Sequence, residues 1–345
     1  MSTSAPALLE HLLQGRSLSN DQASALMEGW LANTMEPVLT GALLAALRAK
    51  GVSGDELGAM AAVLRQACPL PAERPAFPLV DTCGTGGDGA DSFNISTAVA
   101  FTAAACGAKV AKHGNRSASG KVGSADVLEA FGIHLQAPQA AVLGALDQAG
   151  LTFLFAPGWH PSLVGMAPLR RSLGIRTVFN LLGPLVNPLR PEAQVLGVAQ
   201  RDLLDPMATA LASLGLHRAV VVHGHGGLDE ASLAGPSELR LVEGDQVRAQ
   251  QLDPAEFGLS TAPITALAGG DLATNRTILE AVLQGRGSAA QRDVVVLNTA
   301  LVLWSSHGVE SIAAGVQPAQ QALASGAAWQ KLTELQRALP LPPAG

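Results

Sequence analysis

The densest group of residues that can carry chemistry is a glycine loop between an apolar run and a predicted helix. It runs Asp81-Thr-Cys-Gly-Thr-Gly-Gly-Asp-Gly89 and contains the spacing G-x-G-x-x-G. Glycine leaves backbone N–H groups uncovered, so such a loop can direct several of them at one anion. A dinucleotide fold would add an acidic residue about 20 positions further on, at the end of the next strand. That strand instead ends in Lys109-Val-Ala-Lys-His113. The loop predicts a phosphate site outside a dinucleotide fold, or else a tight turn that needs positive φ.

Two more polar clusters follow the loop. Asn94, Ser96 and Thr97 stand at the start of an apolar predicted helix. Free N–H groups and the helix dipole attract an anion there, whereas a simple helix cap would need only one of the three. The segment Lys112–Lys121 then brings three cations, two hydroxyls and an amide into ten residues. Because the whole chain is acidic, this local positive charge predicts an anionic ligand, with a solvated basic loop as the alternative.

Two carboxylates, Asp229 and Glu230, end a second glycine loop after an apolar run. Such a pair suits Mg²⁺, which takes one or two protein carboxylates and completes its shell with water and phosphate oxygens. A capping acidic pair is the alternative. Zinc is disfavoured, because His223 and His225 have no third and fourth ligand at zinc-like spacing.

An arginine pair, Arg170 and Arg171, follows His160 along the chain. An arginine can hold a carboxylate through two parallel hydrogen bonds. An isolated pair is more often a solvated surface feature, and a lone histidine before proline is more often a packed or capping residue than a catalyst. The pair becomes informative only together with the other clusters.

The composition narrows the class of protein. The 345 residues are 48% hydrophobic and 14% charged, which excludes a disordered chain. With 22 basic and 28 acidic residues the net charge is −6, whereas nucleic-acid binding requires clustered lysines and arginines. The three cysteines form no metal or disulfide pattern, and no apolar run is long enough for a membrane span. We therefore expect a soluble, cytoplasmic protein without nucleic-acid or membrane partners.

The predicted elements place the polar clusters at strand ends. The first 68 residues show helical apolar spacing in four segments, and the proline-rich stretch 68–78 predicts a domain boundary. Beyond it, apolar runs alternate with helical segments, which predicts an α/β domain with a mostly parallel sheet. We predict strands at 78–83, 109–112, 152–155, 193–198 and 218–223, and a hairpin over 238–252. We predict helices at 95–107, 124–131, 138–150, 201–215, 271–284, 293–306 and 328–339.

Six blocks in this order resemble the anthranilate phosphoribosyltransferase family, from the N-terminal helices to about Trp304. They are Gly84–Asp88, Asn94–Thr97, Lys112–Arg116, Gly123–Leu128, Arg176–Pro188 and Gly227–Glu230. The resemblance implies a nucleoside-phosphorylase-like α/β fold, with a small all-helical N-terminal domain (1–70) and a larger α/β domain (71–345) around a mostly parallel sheet. It also implies that residues 161–182 pack on the helical domain, that the two domains are hinged, and that a homodimer forms through the helical domains.

The resemblance further implies transfer of the phosphoribosyl group of 5-phosphoribosyl 1-diphosphate to the amine of anthranilate, in tryptophan biosynthesis, without a covalent nucleophile. The residues that it places around the diphosphate substrate are Gly84, Gly87, Asp88, Ser92, Asn94, Ile95, Ser96, Thr97, Lys112, His113, Gly114, Asn115, Arg116, Ser117, Ser119, Gly120 and Ser124. Those that it places around anthranilate are Gly84, His113, Asn115 and Arg170, the last on the carboxylate. It gives two Mg²⁺ ions to Ser96, Asp229 and Glu230.

A few positions depart from the family pattern. Val164 replaces a common lysine near the anthranilate entry, and Gly226 replaces a common aspartate. Gly120 and Val122 interrupt a serine-rich stretch, which removes one or two hydroxyl contacts to diphosphate.

Two rival functions would share the fold. A pyrimidine-nucleoside phosphorylase would bind free phosphate and a nucleoside, but the adjacent Asp229 and Glu230, with Asn115 and Arg170, favour the transferase. A non-enzymatic, nucleic-acid-binding relative would have lost the glycine loop, which is intact here in an acidic chain.

Overall fold

The computed structural model describes residues 4–68, 71, 74–116 and 122–342. The helices that begin the chain lie where the apolar spacing predicts them: α1 (Ala5–Leu13), α2 (Asn20–Leu31), α3 (Pro37–Lys50) and α4 (Gly54–Ala67). Ser19 and Ser53 start α2 and α4 with capping boxes, in which the serine hydroxyl and the residue three positions later satisfy each other's backbone N–H groups. Helix α2 packs against α4, and α1 packs against α3.

The strands of the described chain form one sheet. They are β1 (Val80–Gly84), β2 (Val110–Gly114), β3 (Leu151–Phe155), β4 (Ala193–Gly197), β5 (Arg218–His223), β6 (Ser237–Glu243) and β7 (Gln246–Leu252). Their order in the sheet is β3-β2-β1-β4-β5-β6-β7. The pairs among β1–β5 are parallel, and β6 and β7 add an antiparallel hairpin at one edge. The predicted parallel sheet and the predicted hairpin are confirmed.

Helices connect and cover the strands. They are α5 (Ile95–Ala105), α6 (Ser124–Ala130), α7 (Gln139–Ala149), α8 (Ala156–Trp159), α9 (Ala167–Leu173), α10 (Phe179–Leu182), α11 (Leu204–Ser213), α12 (Leu272–Leu283), α13 (Ala289–Ser305), α14 (Ile312–Ala324) and α15 (Ala327–Ala338). The predicted helices are confirmed to within a few residues. Helices α8, α9, α10 and α14 are not predicted, and Pro318 lies inside α14. Prolines normally interrupt helices, but Ile312 and Leu323 are buried and α14 packs along α13.

Two apolar cores lie on opposite faces of the sheet. Val195 and Leu196 are neighbours in β4, yet one belongs to each core, as the alternation of side chains along a strand requires. The first core joins the sheet to α5, α7 and α13–α15. The second joins it to the N-terminal helices and to residues 166–186. There the Phe179 ring lies 5.5 Å from the Trp30 ring. The domain limits 1–70 and 71–345 stay a prediction.

Among the helices that the structure describes, none combines the length and the hydropathy needed to cross a bilayer.

Candidate active site

The strand order places the predicted polar clusters together at the carboxyl ends of neighbouring strands. Strands β1 and β4 are neighbours although β2 and β3 separate them along the chain. In open parallel sheets, ligands bind at the carboxyl ends of strands where the order reverses in this way. The glycine loop follows β1, Lys112 and His113 lie in the last residues of β2, and the Asp229 loop follows β5. This end of the sheet, at the carboxyl ends of the parallel strands, is the candidate active site.

The loop that carries Asp229 lies directly over the ends of β1 and β4. A Cβ on Gly84 would overlap the Asp229 carboxylate, and a Cβ on Gly197 would overlap the Asp229 main-chain carbonyl. The Gly86 N–H donates to Asp229 Oδ2 at 2.7 Å, and the Thr85 N–H donates to Gly197 O at 2.9 Å. Glycine at positions 84 and 197 is therefore a packing requirement, because a side chain at either one would displace the carboxylate loop.

The carboxylates of Asp88, Asp229 and Glu230 form an acidic cluster. Burial, followed by the charge of Asp88, raises the pKa of Asp229 to about 7. Burial and the charge of Asp229 raise the pKa of Glu230 well above its usual range, while Lys112 and a hydrogen bond from the Ser96 backbone oppose that rise. Both carboxylates therefore stand where an added cation would stabilise them.

Lys112 is a cation built into this cluster. It is 3% exposed. Its Nζ donates to Thr82 O at 2.6 Å and to Ser96 Oγ at 3.1 Å, which ties β2 to the first turn of α5. Nearby, Asn94 Oδ1 and Thr97 Oγ1 are buried without a hydrogen-bond partner among the described residues. Because buried polar atoms are normally paired, these two oxygens indicate a place for a polar ligand.

His113, in β2, lies beside a buried aspartate. Its backbone N–H donates to Asp81 Oδ1 at 3.1 Å, and Asn187 Nδ2 donates to Asp81 Oδ2 at 2.9 Å. The His113 ring lies 5.3 Å from the His160 ring. Burial, followed by the nearby His160, lowers the pKa of His113 to about 3. The imidazole is thus neutral near pH 7 and offers a ring and a hydrogen-bonding nitrogen, but no charge.

The residues that follow His113 contact helix α6. Arg116 is exposed, and its guanidinium forms ion pairs with Asp126 at 2.7 Å and Glu129 at 2.9 Å, both in α6. The Asn115 carbonyl accepts a hydrogen bond from Ser124 Oγ at 3.5 Å. Arg116 therefore faces α6 in this structure. Five residues of the predicted basic segment lie outside the described residues: Ser117, Ala118, Ser119, Gly120 and Lys121.

Three further predicted positions contribute through packing or backbone. Ile95 is 2% exposed and belongs to the first core. Ser92 forms an antiparallel bridge with Ala268. A Cβ on Gly114 would come within 2.6 Å of Ser124 Oγ, so this glycine lets β2 approach the start of α6.

The segment 161–182 contains three arginines, of which Arg171 is exposed. Arg170 lies in α9, burial lowers its pKa, and its guanidinium lies 5.4 Å from the centre of the Phe179 ring. Arg176 is not among the site residues predicted from the sequence, yet its Nη2 donates to Thr85 O at 2.8 Å. Its place in the family block Arg176–Pro188 is the one sequence signal that points to it. The Val164 side chain lies outside the described part of the structure.

A cleft of about 230 Å³ separates the helical bundle from the glycine loop. Arg48, from α3, lines one wall, and Gly86 and Gly87 line the other. Arg176 and Gln200 also line it. The glycine loop is therefore reached from a space between the two parts of the molecule.

The donor set fits Mg²⁺. Asp229 and Glu230 supply carboxylates and Ser96 supplies a hydroxyl. A cation would stabilise the charged form of both carboxylates, whose pKa values are raised by burial and then by repulsion from neighbouring carboxylates. Within the residues that the structure describes, no three His, Cys, Asp or Glu side chains are arranged to hold a metal ion by themselves. Mg²⁺ suits so sparse a set, because it keeps several waters and takes further oxygens from substrate phosphates.

The helical and α/β parts each match a known family. Residues 6–68 match the helical bundle domain of the glycosyl transferase family, and residues 76–329 match its a/b domain. The chain is 68% identical over 332 residues to the anthranilate phosphoribosyltransferase of Synechococcus sp. strain WH7803, a match that covers 96% of this chain and 95% of that protein.

Solved structures are similar in fold as well. The crystal structure of anthranilate phosphoribosyltransferase from Thermus thermophilus has a TM-score of 0.89 at 41% identity, covering 96% of this chain and 99% of that chain. The enzyme from Saccharomyces cerevisiae in complex with PRPP and Mg has a TM-score of 0.85 at 26% identity, covering 97% and 98%. With the motif order, the sheet topology and these matches in agreement, the chain belongs to the anthranilate phosphoribosyltransferases of the glycosyl transferase family.

Proposed function

We propose that this protein transfers the phosphoribosyl group of 5-phosphoribosyl 1-diphosphate to the amine of anthranilate. The products are N-(5-phosphoribosyl)anthranilate and diphosphate, in a step of tryptophan biosynthesis. One observation carries the proposal: the glycine loop, the buried Lys112 and the Asp229–Glu230 pair meet at the carboxyl ends of the parallel strands, around β1 and β4. The similarity to the Synechococcus anthranilate phosphoribosyltransferase, and to the yeast enzyme solved in complex with PRPP and Mg, supports it.

The diphosphate substrate would lie between the glycine loop and the start of α5. The unpaired Asn94 Oδ1 and Thr97 Oγ1 support this placement, because a ribose or phosphate group would satisfy them. The described residues that we assign to this substrate are Gly84, Gly87, Asp88, Ser92, Asn94, Ile95, Ser96, Thr97, Lys112, His113, Gly114, Asn115 and Ser124. Arg116 would join them only by leaving its two ion pairs with α6.

Anthranilate would lie against Arg170, which is in α9. We assign its carboxylate to Arg170, whose guanidinium can donate two parallel hydrogen bonds. His113 and Asn115 would border the aromatic amine, and the neutral imidazole of His113 suits an uncharged ring. The yeast enzyme solved with 4-fluoroanthranilate supports an anthranilate site in this fold.

The reaction needs charge stabilisation more than proton transfer. As the C1–O bond of the ribose breaks, its electron pair passes to the diphosphate oxygen and positive charge builds on the sugar ring. Lys112 and the N–H groups of the glycine loop would offset the charge on the leaving diphosphate. The anthranilate nitrogen forms the new bond to C1 from the opposite face and then releases a proton. Because the aryl amine is uncharged at pH 7, positioning replaces a strong base.

Ser96, Asp229 and Glu230 would hold the metal, and two ions per chain is our proposal. When bound, Mg²⁺ supplies positive charge to the diphosphate oxygens. Asp229 has a second role, because it also accepts the Gly86 N–H. Asp229, which would hold the metal, therefore holds the glycine loop as well.

We also propose a homodimer formed through the helical bundle. Val38 at the start of α3 is 87% exposed, and Leu13 at the end of α1 is 66% exposed. Since α1 and α3 pack side by side, both helices offer apolar side chains to a second copy. A cytoplasmic location and the absence of a nucleic-acid or membrane partner stay predictions from the sequence.

The test is direct. Protein mixed with Mg²⁺, anthranilate and 5-phosphoribosyl 1-diphosphate should quench anthranilate fluorescence and release one diphosphate for each anthranilate consumed. Folded protein that consumes no anthranilate would refute the proposal. Phosphorolysis of uridine or thymidine would instead support the phosphorylase, and a salt-dependent DNA shift would support a nucleic-acid-binding relative.

A further inference from the structure

We propose that Arg176 is a positioning residue that holds the glycine loop in its substrate-binding shape from the segment 161–182. The inference rests on the proposed function for its substrate, but its geometry is independent of the acceptor. Arg176 lies between the acidic cluster and the helical side of the cleft. It therefore links the part of the molecule that carries Arg170 to the part that would bind diphosphate.

Arg176 and Asp229 hold the two ends of one peptide group. The Thr85 carbonyl accepts a hydrogen bond from Arg176 Nη2 at 2.8 Å. The Gly86 N–H, which belongs to the same peptide, donates to Asp229 Oδ2 at 2.7 Å. Because a peptide group is planar, fixing its carbonyl and its N–H fixes its rotation. That rotation determines where the N–H groups of the following glycines point.

The guanidinium also lies against the next residue of the loop. A Cβ on Gly87 would overlap Arg176 Nη1. Gly87 thus makes room for the arginine as well as for a ligand. The charge of Arg176 also acts on Asp88 and Asp229. One side chain therefore contacts the loop carbonyl, packs on the loop glycine and partly balances the acidic cluster.

The backbone that carries Arg176 is anchored on the other side. The Thr177 N–H donates to Asn180 Oδ1 at 2.9 Å. Val178 and Phe179 are buried in the second core, together with side chains of the N-terminal helices. A shift of this segment on the helical bundle would consequently move the Thr85–Gly86 peptide. Arg176 should therefore set the affinity for the diphosphate substrate, whereas Arg170, on the same segment, should set the affinity for anthranilate.

The first readout is the split between the two KM values. Arg176→Ala should raise KM for 5-phosphoribosyl 1-diphosphate by about tenfold to hundredfold, the range expected for a lost charged hydrogen bond. KM for anthranilate should change by less than about threefold, within the effect of a surface substitution. Arg176→Lys, or guanidinium ion added to Arg176→Ala, should restore part of the loss. Arg171→Ala is the matched control, because Arg171 is an exposed cation of the same segment.

The second readout needs no turnover. In substrate-free protein, the Gly86 amide should exchange its hydrogen faster in Arg176→Ala than in wild type or Arg171→Ala. Calorimetry with Mg²⁺ and 5-phosphoribosyl 1-diphosphate should show the same loss of affinity as KM. If wild type consumes no anthranilate, these two measurements still decide the role of Arg176. Unchanged Gly86 exchange, or equal rises in both KM values, would overturn it. If Arg176→Ala does not fold, Arg176→Met, which also removes the donor, is judged by the same criteria.

Discussion

The two sides of the candidate active site are held in place by different kinds of contact. On the side that we propose for the diphosphate substrate, hydrogen bonds join the strands to neighbouring loops and to α5: Thr85 to Gly197, Gly86 to Asp229, and Lys112 to Ser96. On the side that we propose for anthranilate, Arg170 lies in the short helix α9, and its guanidinium lies 5.4 Å from the centre of the Phe179 ring. The first side is therefore fixed by the parallel sheet, whereas the second depends on how a short segment lies on the helical bundle.

This difference follows from what each substrate requires. Charge that develops on a leaving diphosphate is stabilised best by dipoles and cations that are already in place. The acceptor must enter, align and leave as product, which is easier where one wall can shift. Arg176 contacts the glycine loop from the segment 161–182.

The largest expected effect comes from the acidic cluster. Asp229→Asn with Glu230→Gln should lower kcat/KM by about hundredfold or more, because metal-derived charge stabilisation amounts to several kcal/mol. The Mg²⁺ titration of activity should move to higher concentration. Asp245→Asn, in the exposed turn between β6 and β7, is the control and should match wild type. An unchanged Mg²⁺ titration in the double variant would remove the metal assignment.

A substitution of Arg170 should change the KM for the acceptor, anthranilate, and leave the KM for the diphosphate substrate nearly unchanged. Arg170→Ala should raise KM for anthranilate by about tenfold to hundredfold, as expected for a lost charged hydrogen bond. KM for 5-phosphoribosyl 1-diphosphate should stay within about threefold, in line with a change away from that site. Steady-state kinetics with each substrate varied in turn gives both values. Equal rises in the two KM values would show that the two sides of the site are not independent.

A packing change tests the rigidity of the diphosphate side. Gly197→Ala adds a Cβ that overlaps the Asp229 carbonyl, and such overpacking typically lowers the free energy of unfolding by about 1–3 kcal/mol. KM for the diphosphate substrate should rise more than KM for anthranilate. Gly158→Ala is the matched control, since a Cβ there meets open space. Urea denaturation and kinetics measure both effects, and a Gly197→Ala protein as stable as Gly158→Ala would contradict the assigned rigidity.

The smallest expected effect lies furthest from the cleft. Val38→Glu should shift a dimer towards monomer, because it places a charge on an exposed apolar side chain of the bundle. Activity per chain should change by no more than about twofold, the usual range for a surface substitution. Light scattering after size-exclusion chromatography gives the mass. Val247→Glu, on the exposed edge strand β7, is the control, and the same mass for both variants would argue against a contact through the bundle.

Local sequence predicts much of the fold and part of the site. Helix and strand spacing depends on near neighbours, which is why the apolar runs locate β1–β5 and the glycine loop is found at once. Helix α14 is absent from the predicted helices. It contains Pro318, and its packing against α13 is a long-range contact that local spacing does not show. The ion pairs of Arg116 are missed for a similar reason, since the charge of a segment does not show which carboxylates fold back onto it.

The sequence by itself determined which residue types are present at each strand end: uncovered N–H groups at 84–89, a lysine at 112 and adjacent carboxylates at 229–230. Only the tertiary structure decided which of them meet. Placing β1 beside β4 brings Gly84, Gly197 and Asp229 into contact, and the second core brings Arg176 to the Thr85 carbonyl. Strand order and core packing join residues that are far apart in the chain, and no local spacing encodes those contacts.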